Sequence, residues 1–136
     1  MVIMTKQIAC SLLLSLGLPV LAHAESIELH CVYTEATFNA AYMSQPETRD
    51  CPQNRCFYDL RFDTDGTVGS VNEVAGYLLK VDGNHFQLER RVRNRVVGGE
   101  DLASFSINGQ DLSYTSVKST SPGVSLTTAG QCQIIE

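Results

Sequence analysis

The most unusual charged stretch of this chain is residues 90–95, which carries four arginines although the formal net charge of the chain is −5. In a β-strand, alternation places three of them on one face: Arg91, Arg93 and Arg95. Like charges at this spacing repel unless carboxylates answer them. The acids available on adjacent strands are Asp59, Asp63 and Glu100. We expect either cross-strand ion pairs or a surface that recognises an anion or a partner, because guanidinium groups match carboxylates.

Catalytic signatures are absent from the sequence. Residues 25–136 contain two histidines, His30 and His85, and neither lies in a motif. No G-x-S-x-G stretch occurs, so a Ser-His-Asp set could arise only through the fold. Residues 63–66 resemble the start of a calcium loop, but their glycine comes too early for the third ligand, which favours a hairpin turn. We expect a protein that is not an enzyme and that has no metal site and no cofactor.

Four cysteines follow residue 24: Cys31, Cys51, Cys56 and Cys132. An even number in a short exported domain indicates two disulfides. Zinc is disfavoured because only His30 lies near any of these cysteines. Four cysteines allow three pairings, and the sequence does not decide between them. We favour Cys51–Cys56, which closes a small loop, together with Cys31–Cys132, which joins the two ends of the domain.

The first 24 residues predict where the protein goes. Lys6 precedes an apolar run over residues 8–21, and Ala22-His23-Ala24 places small residues at the two positions that a signal peptidase reads. This pattern predicts a cleaved signal peptide over residues 1–24, with a membrane anchor or a buried helix as the alternative. The run is shorter than the about 20 apolar residues of a spanning helix. We therefore expect a periplasmic or secreted single domain, residues 25–136, with no membrane span.

The predicted mature domain is acidic. All 15 Asp and Glu and nine of the ten Lys and Arg follow residue 24, which gives a net charge of −6. This charge argues against a nucleic-acid partner, which would select a basic surface. It favours encounter with a basic partner, although acidic charge also serves solubility.

Period-two alternation of apolar and polar residues dominates residues 25–136. Tyr58, Leu60 and Phe62, for example, are separated by charged residues, as in a half-buried strand. Turn sequences such as Asp65-Gly66 and Asn108-Gly109 separate the strands. The sequence predicts an all-β fold, a small antiparallel β-meander barrel or sandwich of about eight strands stabilised by disulfides. We prefer the barrel because closure removes exposed edges.

Three segments depart from regular alternation. Residues 35–44 contain several alanines and are compatible with a short helix that plugs one end of the barrel. Residues 45–55 contain two prolines and predict a loop. In a regular strand Arg90 falls on the apolar face, so we expect a β-bulge near Arg90 and Arg91.

The two ends of the chain resemble the periplasmic C-type lysozyme inhibitors, small secreted β-barrels in which a disulfide ties the first strand to the last. The matching residues are Leu29-His30-Cys31 and Cys132-Gln133-Ile134. The central Ser-Gly-x-x-Tyr stretch and the tryptophan-bearing strand of that family are missing from this chain, so no inhibitory residue is carried over. The resemblance implies a barrel.

The leading functional hypothesis is a barrel that binds a protein partner, as an inhibitor or immunity protein against a cationic cell-wall-degrading enzyme. The alternative is a small-ligand-binding, lipocalin-like barrel, and a hydrolase is third. A filled interior with protruding loops would favour a protein partner, and an open lumen would favour a ligand. Beyond the arginine face, the candidate contact residues are Pro46 and Pro52 of the clipped loop, Ser121 and Gly123 of a turn, and Lys118, expected to be an exposed cation.

Overall fold

The computed structural model describes residues 26–51, 55–95, 98–121 and 123–135. These residues form nine β-strands and no helix. The strands are β1 (Ser26–Ala40), β2 (Glu47–Asp50), β3 (Phe57–Asp63), β4 (Val68–Val71), β5 (Val74–Asp82), β6 (His85–Arg93), β7 (Glu100–Asn108), β8 (Ser113–Thr120) and β9 (Val124–Ile134). No helix in these ranges is long and apolar enough to cross a membrane. The predicted signal peptide and Pro52 lie outside the described residues.

Eight of these strands close into an antiparallel barrel. β1 pairs with β3, and each strand from β3 to β9 pairs with the next along the chain. β9 then returns to pair with β1, which closes the sheet. The expected meander barrel is therefore confirmed.

The ninth strand, β2, lies outside the closed ring. It pairs with Glu35–Phe38 in the second half of β1, on the side where β3 pairs with the first half. Within the described residues β2 has no second neighbour. The barrel wall is consequently interrupted beside β2, at the end where β1 finishes.

Alternation in the sequence produces the core directly. Tyr58, Leu60 and Phe62 of β3 are buried, and the charged residues between them are exposed. The middle of the barrel is filled, because Leu60, Leu88 and Phe105 are 1%, 0% and 0% exposed. The Tyr58 and Phe105 rings meet edge to face, with centroids 4.8 Å apart, a favoured aromatic geometry.

Two expectations for residues 35–55 are wrong. Residues 35–40 continue β1 instead of starting a helix, and residues 47–50 form β2 instead of a loop. The alternation in β1 is hidden by a register shift between Tyr33 and Ala36, where the strand bulges against β9. A bulge places two residues opposite one and so reverses the phase of the inward positions.

The expected bulge near Arg90 is also wrong. Arg90 and Arg91 continue a regular ladder with Ala103 and Leu102 of β7. Arg90 therefore points to the inner face of the barrel, in phase with Leu88 below it. It lies close enough to the barrel end for the guanidinium to remain partly accessible.

The four cysteines lie in the two pairs that the sequence favoured. Cys31 and Cys132 lie opposite each other on β1 and β9, with Cα atoms 3.8 Å apart. Cys51 and Cys56 have Cα atoms 6.0 Å apart and link the two ends of the β2–β3 connection. The connection is further tied to β1, because Cys51 N–H donates to Thr34 O and Tyr33 N–H donates to Cys56 O.

Candidate binding surface

Three strand connections meet at one end of the barrel, which we call the loop end: β1–β2, β6–β7 and β8–β9. Ser121 N–H donates to Glu100 O at 3.2 Å, joining the second connection to the third. Gly99 approaches Ser121 so closely that a Cβ on Gly99 would collide with the serine side chain. A Cβ built on Gly123 would lie 3.8 Å from that of Ala41, so the third connection also contacts the first.

The loop end gathers most of the sequence-predicted contact residues. Pro46 lies exposed in the β1–β2 connection, and Ser121 and Gly123 lie in the β8–β9 connection. Arg93 and Arg95 lie at the end of β6 and just beyond it. Arg93 lines a cavity of about 340 Å³ with Glu100 and Ser121. The Cys51–Cys56 clip lies beside the edge of β1, between the segments that pair with β2 and β3.

Tyr42 is the most prominent side chain of the loop end, and the sequence reasoning missed it. Its side chain is 85% exposed at the tip of the β1–β2 hairpin. A cavity of about 300 Å³ separates it from Phe38, Glu47 and Arg49. The Arg49 guanidinium carbon lies 5.4 Å from the Phe38 ring centroid, within cation–π range. The sequence is compatible with a helix over residues 35–44, and a helix gives no reason to expect Tyr42 at an exposed turn.

On the arginine face formed by Arg91, Arg93 and Arg95, only Arg91 pairs with acids among the described residues. Arg91 donates to Glu89 at 2.8 Å and to Glu100 at 3.1 Å. The Glu100 hydrogen bond, followed by the charge of Glu89, raises the pKa of Arg91. Arg93 and Arg95 are exposed and form no ion pair with the described residues. The expected ion-pair ladder is thus limited to Arg91, and its exposed pairs contribute little stability.

Lys118 points into the barrel at the loop end, into the opening that we call the barrel mouth, so its expected exposure is wrong. It follows Tyr114 and Ser116 in the inward phase of β8, a position that alternation in the sequence could have indicated. Its Nζ lies 4.8 Å from the centroid of the Tyr58 ring. Burial lowers the pKa of Lys118 because desolvation disfavours the ammonium.

Tyrosines line the interior beneath Lys118. The Tyr33 and Tyr58 rings stack with centroids 5.4 Å apart, and Tyr58 meets Tyr114 edge to face at 6.4 Å. Desolvation is the largest cause that raises the pKa of Tyr58, and it raises the pKa of Tyr114 to about 12. Both phenols therefore stay neutral near pH 7.

A separate cavity of about 520 Å³ lies on the outer face of β1, β3 and β4. His30 Nδ1 lies 2.7 Å from Asp59 Oδ1 along its wall, and the His30 and Phe57 ring centroids are 4.7 Å apart. Ser70 also lines this cavity, but it lies on β4, two strands from His30. It is in register with Arg61 of β3, whereas His30 is in register with Asp59. The pair ties β1 to β3, and no hydrogen bond joins it to a serine within the described residues.

Comparison with protein-family models, curated proteins and solved structures finds no match to this chain. The resemblance to the C-type lysozyme inhibitors therefore stays a prediction. The described residues include no cluster of three or more His, Cys, Asp or Glu that could hold a metal ion. Function must be inferred from the surfaces and charges of this chain itself.

Proposed function

We propose that this protein is an exported, non-enzymatic β-barrel that binds a protein partner through its loop end. The partner class we propose is a cationic cell-wall-degrading enzyme, against which the barrel acts as an inhibitor or immunity protein. The observation that supports this function is the meeting of three connections at one end of a rigid, disulfide-framed sheet. Loops held by such a scaffold are the usual site of recognition.

The filled barrel favours a protein partner over an enclosed ligand. A lipocalin-like site needs an open lumen along the barrel axis. Leu60, Leu88 and Phe105 occupy that space and are at most 1% exposed. This packing weakens the lipocalin-like alternative for the centre of the barrel.

Tyr42 is the proposed anchor of the contact. Aromatic side chains are enriched among residues that dominate binding energy, and Tyr42 is 85% exposed without a described partner that buries it. Phe38 and Arg49 contact each other and line the same cavity as Tyr42. A tyrosine with few rotatable bonds also loses little conformational entropy when it binds.

Wall hydrolysis by lysozyme-type and amidase-type enzymes, with purified residues 25–136 in excess, tests this proposal. We expect inhibition, and we expect Tyr42→Ala to weaken it by about 2 kcal/mol, or roughly 30-fold. Leu78→Ala is the matched control, because Leu78 is 60% exposed within β5, opposite Glu89 of β6, and belongs to none of the three connections. Absence of inhibition for both enzyme classes would reject the inhibitor role. Equal weakening by both variants would reject the loop end as the contact.

Charge provides a second test. A domain of net charge −6 should associate quickly with a cationic enzyme, because its field steers the encounter. Raising the ionic strength from about 0.01 M to about 0.15 M shortens the Debye length from about 30 Å to about 8 Å. We expect stopped-flow association rates to fall over this range while dissociation changes less. A salt-independent association rate would contradict the electrostatic part of the proposal.

Export is also part of the proposal. The sequence Ala22-His23-Ala24 supports cleavage before Glu25. Intact-mass measurement of the exported protein should give a chain that begins Glu25-Ser26-Ile27. Retention of residues 1–24 in that product would overturn the proposed processing.

A further inference from the structure

Two cations, Arg90 and Lys118, point into the barrel mouth, and neither forms an ion pair with the residues that the structure describes. Arg90, Ala103 and Lys118 form one row across β6, β7 and β8, because Arg90 is in register with Ala103 and Ala103 with Lys118. The two cationic residues are therefore two strand spacings apart, about 10 Å between Cα atoms. Only the methyl group of Ala103 lies between them, which leaves space above it.

The row directly below forms a closed floor. It consists of Leu88, Phe105 and Ser116, in register across the same strands. These side chains are 0%, 0% and 2% exposed. A molecule entering between the cations would therefore meet a closely packed floor, apolar except for Ser116, and could go no deeper.

The resulting pocket has a volume of about 280 Å³, near the lower limit for small-ligand sites. Its wall includes Tyr77 of β5 and Val92 at the rim. The side chain of Arg90 runs past Gly76, where an added Cβ would lie 3.4 Å from Arg90 Nε. A glycine at that position leaves the guanidinium room beside the pocket.

Asp101 is the acid that lines this pocket, and it forms no ion pair with either cation. Asp101 belongs to the rim row, in register with Val92 and Thr120. Its Oδ1 accepts a hydrogen bond from Asn94 Nδ2 at 3.4 Å. Among the described residues, no carboxylate lies within 4.0 Å of the Arg90 or Lys118 nitrogens. The pocket thus contains two cations and one acid in a domain whose net charge is negative.

We propose that this pocket, between Arg90 and Lys118, binds a small organic monocarboxylate with an apolar body. The carboxylate would accept hydrogen bonds from both cations, which are stronger than bonds between neutral groups. The apolar body would lie over Ala103 and against Tyr77 and Val92. Asp101 at the rim disfavours a second negative charge, so a monoanion fits better than a dianion or phosphate. The site goes beyond the proposed partner binding and stands without it.

Titration of the isotope-labelled domain (residues 25–136) with sodium benzoate at constant ionic strength tests the proposal. We expect saturable changes in the backbone amide signals of Ala103 and Ser119. Benzamide, which has the same shape without the charge, should bind at least about tenfold more weakly. Inorganic phosphate, an anion without an apolar body, should also bind more weakly. Equal binding of benzamide or phosphate would overturn the ligand class.

Variants of the pocket residues locate the site. Lys118→Met and Arg90→Met should each weaken benzoate binding about tenfold. The matched controls, Lys80→Met and Arg61→Gln, remove exposed charges outside the pocket and should change it less than about twofold. Asp101→Asn should tighten binding, a gain that misfolding cannot produce. Unchanged affinity in all three pocket variants would overturn the site.

Discussion

Cys31 on β1 and Cys132 on β9 lie directly opposite each other, with Cα atoms 3.8 Å apart, in the strand pair that closes the barrel. The bridge joins positions 101 residues apart. Both cysteines are buried among the apolar residues of the core. A single cross-link therefore fixes both the closure of the sheet and the relative position of the two ends of the domain.

The first prediction compares the two disulfides. Replacing Cys31 and Cys132 by alanine should cost about 4–5 kcal/mol, an upper figure that follows from the entropy of closing a loop of this length. Replacing Cys51 and Cys56 should cost about 2 kcal/mol, because that bridge spans a separation of 5 residues. Urea unfolding of both double variants measures the difference. Equal losses would mean that loop closure does not dominate.

The second prediction concerns Gly130, which lies on β9 between two tyrosines. It is in register with Tyr33 on one side and Tyr114 on the other. A Cβ at this position would collide with the carbonyl oxygen of Val32 and lie 3.0 Å from Tyr114 Cε1. Gly130→Ala should therefore lower the free energy of unfolding by about 3 kcal/mol or more, because the Val32 carbonyl is part of the backbone and cannot move aside.

The control for Gly130 is Gly83, in the β5–β6 turn. Its φ of 64° disfavours other residues, but nothing lies within 4 Å of an added Cβ. Gly83→Ala should cost only the strain of a left-handed residue, about 1–2 kcal/mol. Thermal unfolding of the two variants separates steric collision from backbone strain. A Gly130→Ala variant as stable as Gly83→Ala would refute the close approach.

The third prediction concerns hydroxyl groups buried beneath the barrel mouth. Thr128 Oγ1 lies 2.5 Å from Ser116 Oγ and 3.2 Å from Tyr114 OH. Thr128→Val removes the group shared by both contacts and should cost about 2–3 kcal/mol, because two buried polar groups lose a partner. Ser116→Ala leaves the Tyr114 contact and should cost less, about 1 kcal/mol. Thr127→Val, on the exposed side of β9, is the control and should have little effect in urea unfolding. The reverse order of Thr128→Val and Ser116→Ala would contradict this network.

The fold was predictable where alternation and turn chemistry agree. β3 reads as buried and exposed residues in turn, and Asp65-Gly66 ends it as expected. The second half of β1 was not predictable in this way. The register shift after Tyr33 changes the phase of the pattern, and four exposed residues leave β2 without an apolar face. Propensity cannot reveal a strand that is held by its neighbour alone.

The candidate surfaces were predictable only in part. Alternation placed Arg90 on the inner face, and the same count would have placed Lys118 there. Their alignment through Ala103 depends on the registers of three strands, which pairing between distant segments determines. Tyr42 lacked any signal of its own, because an aromatic residue that follows two alanines is compatible with either a helix or a turn.

The fourth prediction concerns alkaline pH. Burial is the largest cause that raises the pKa of Tyr58, Tyr77 and Tyr114, for Tyr114 to about 12. An unfolded tyrosine has a pKa of about 10, so the folded chain holds these protons more tightly. The resulting stability is complete below about pH 10 and is lost as pH rises towards 12. Urea unfolding should show a steep fall in the free energy of unfolding between about pH 10 and 12.

Lys118 should act in the opposite direction. Burial lowers its pKa, so the unfolded chain holds that proton more tightly, and stability from this group rises as pH passes its folded pKa towards about 10.4. Lys118→Met should therefore raise stability near pH 7 and remove this rising component.

Tyr114→Phe tests the tyrosine prediction and should reduce the alkaline fall in the free energy of unfolding by roughly 1–2 kcal/mol. Tyr42→Phe is the control: Tyr42 is exposed, so its replacement should leave the dependence of stability on pH unchanged. A fall of the same size in Tyr114→Phe and the natural sequence would show that the Tyr114 phenol does not contribute to alkaline unfolding.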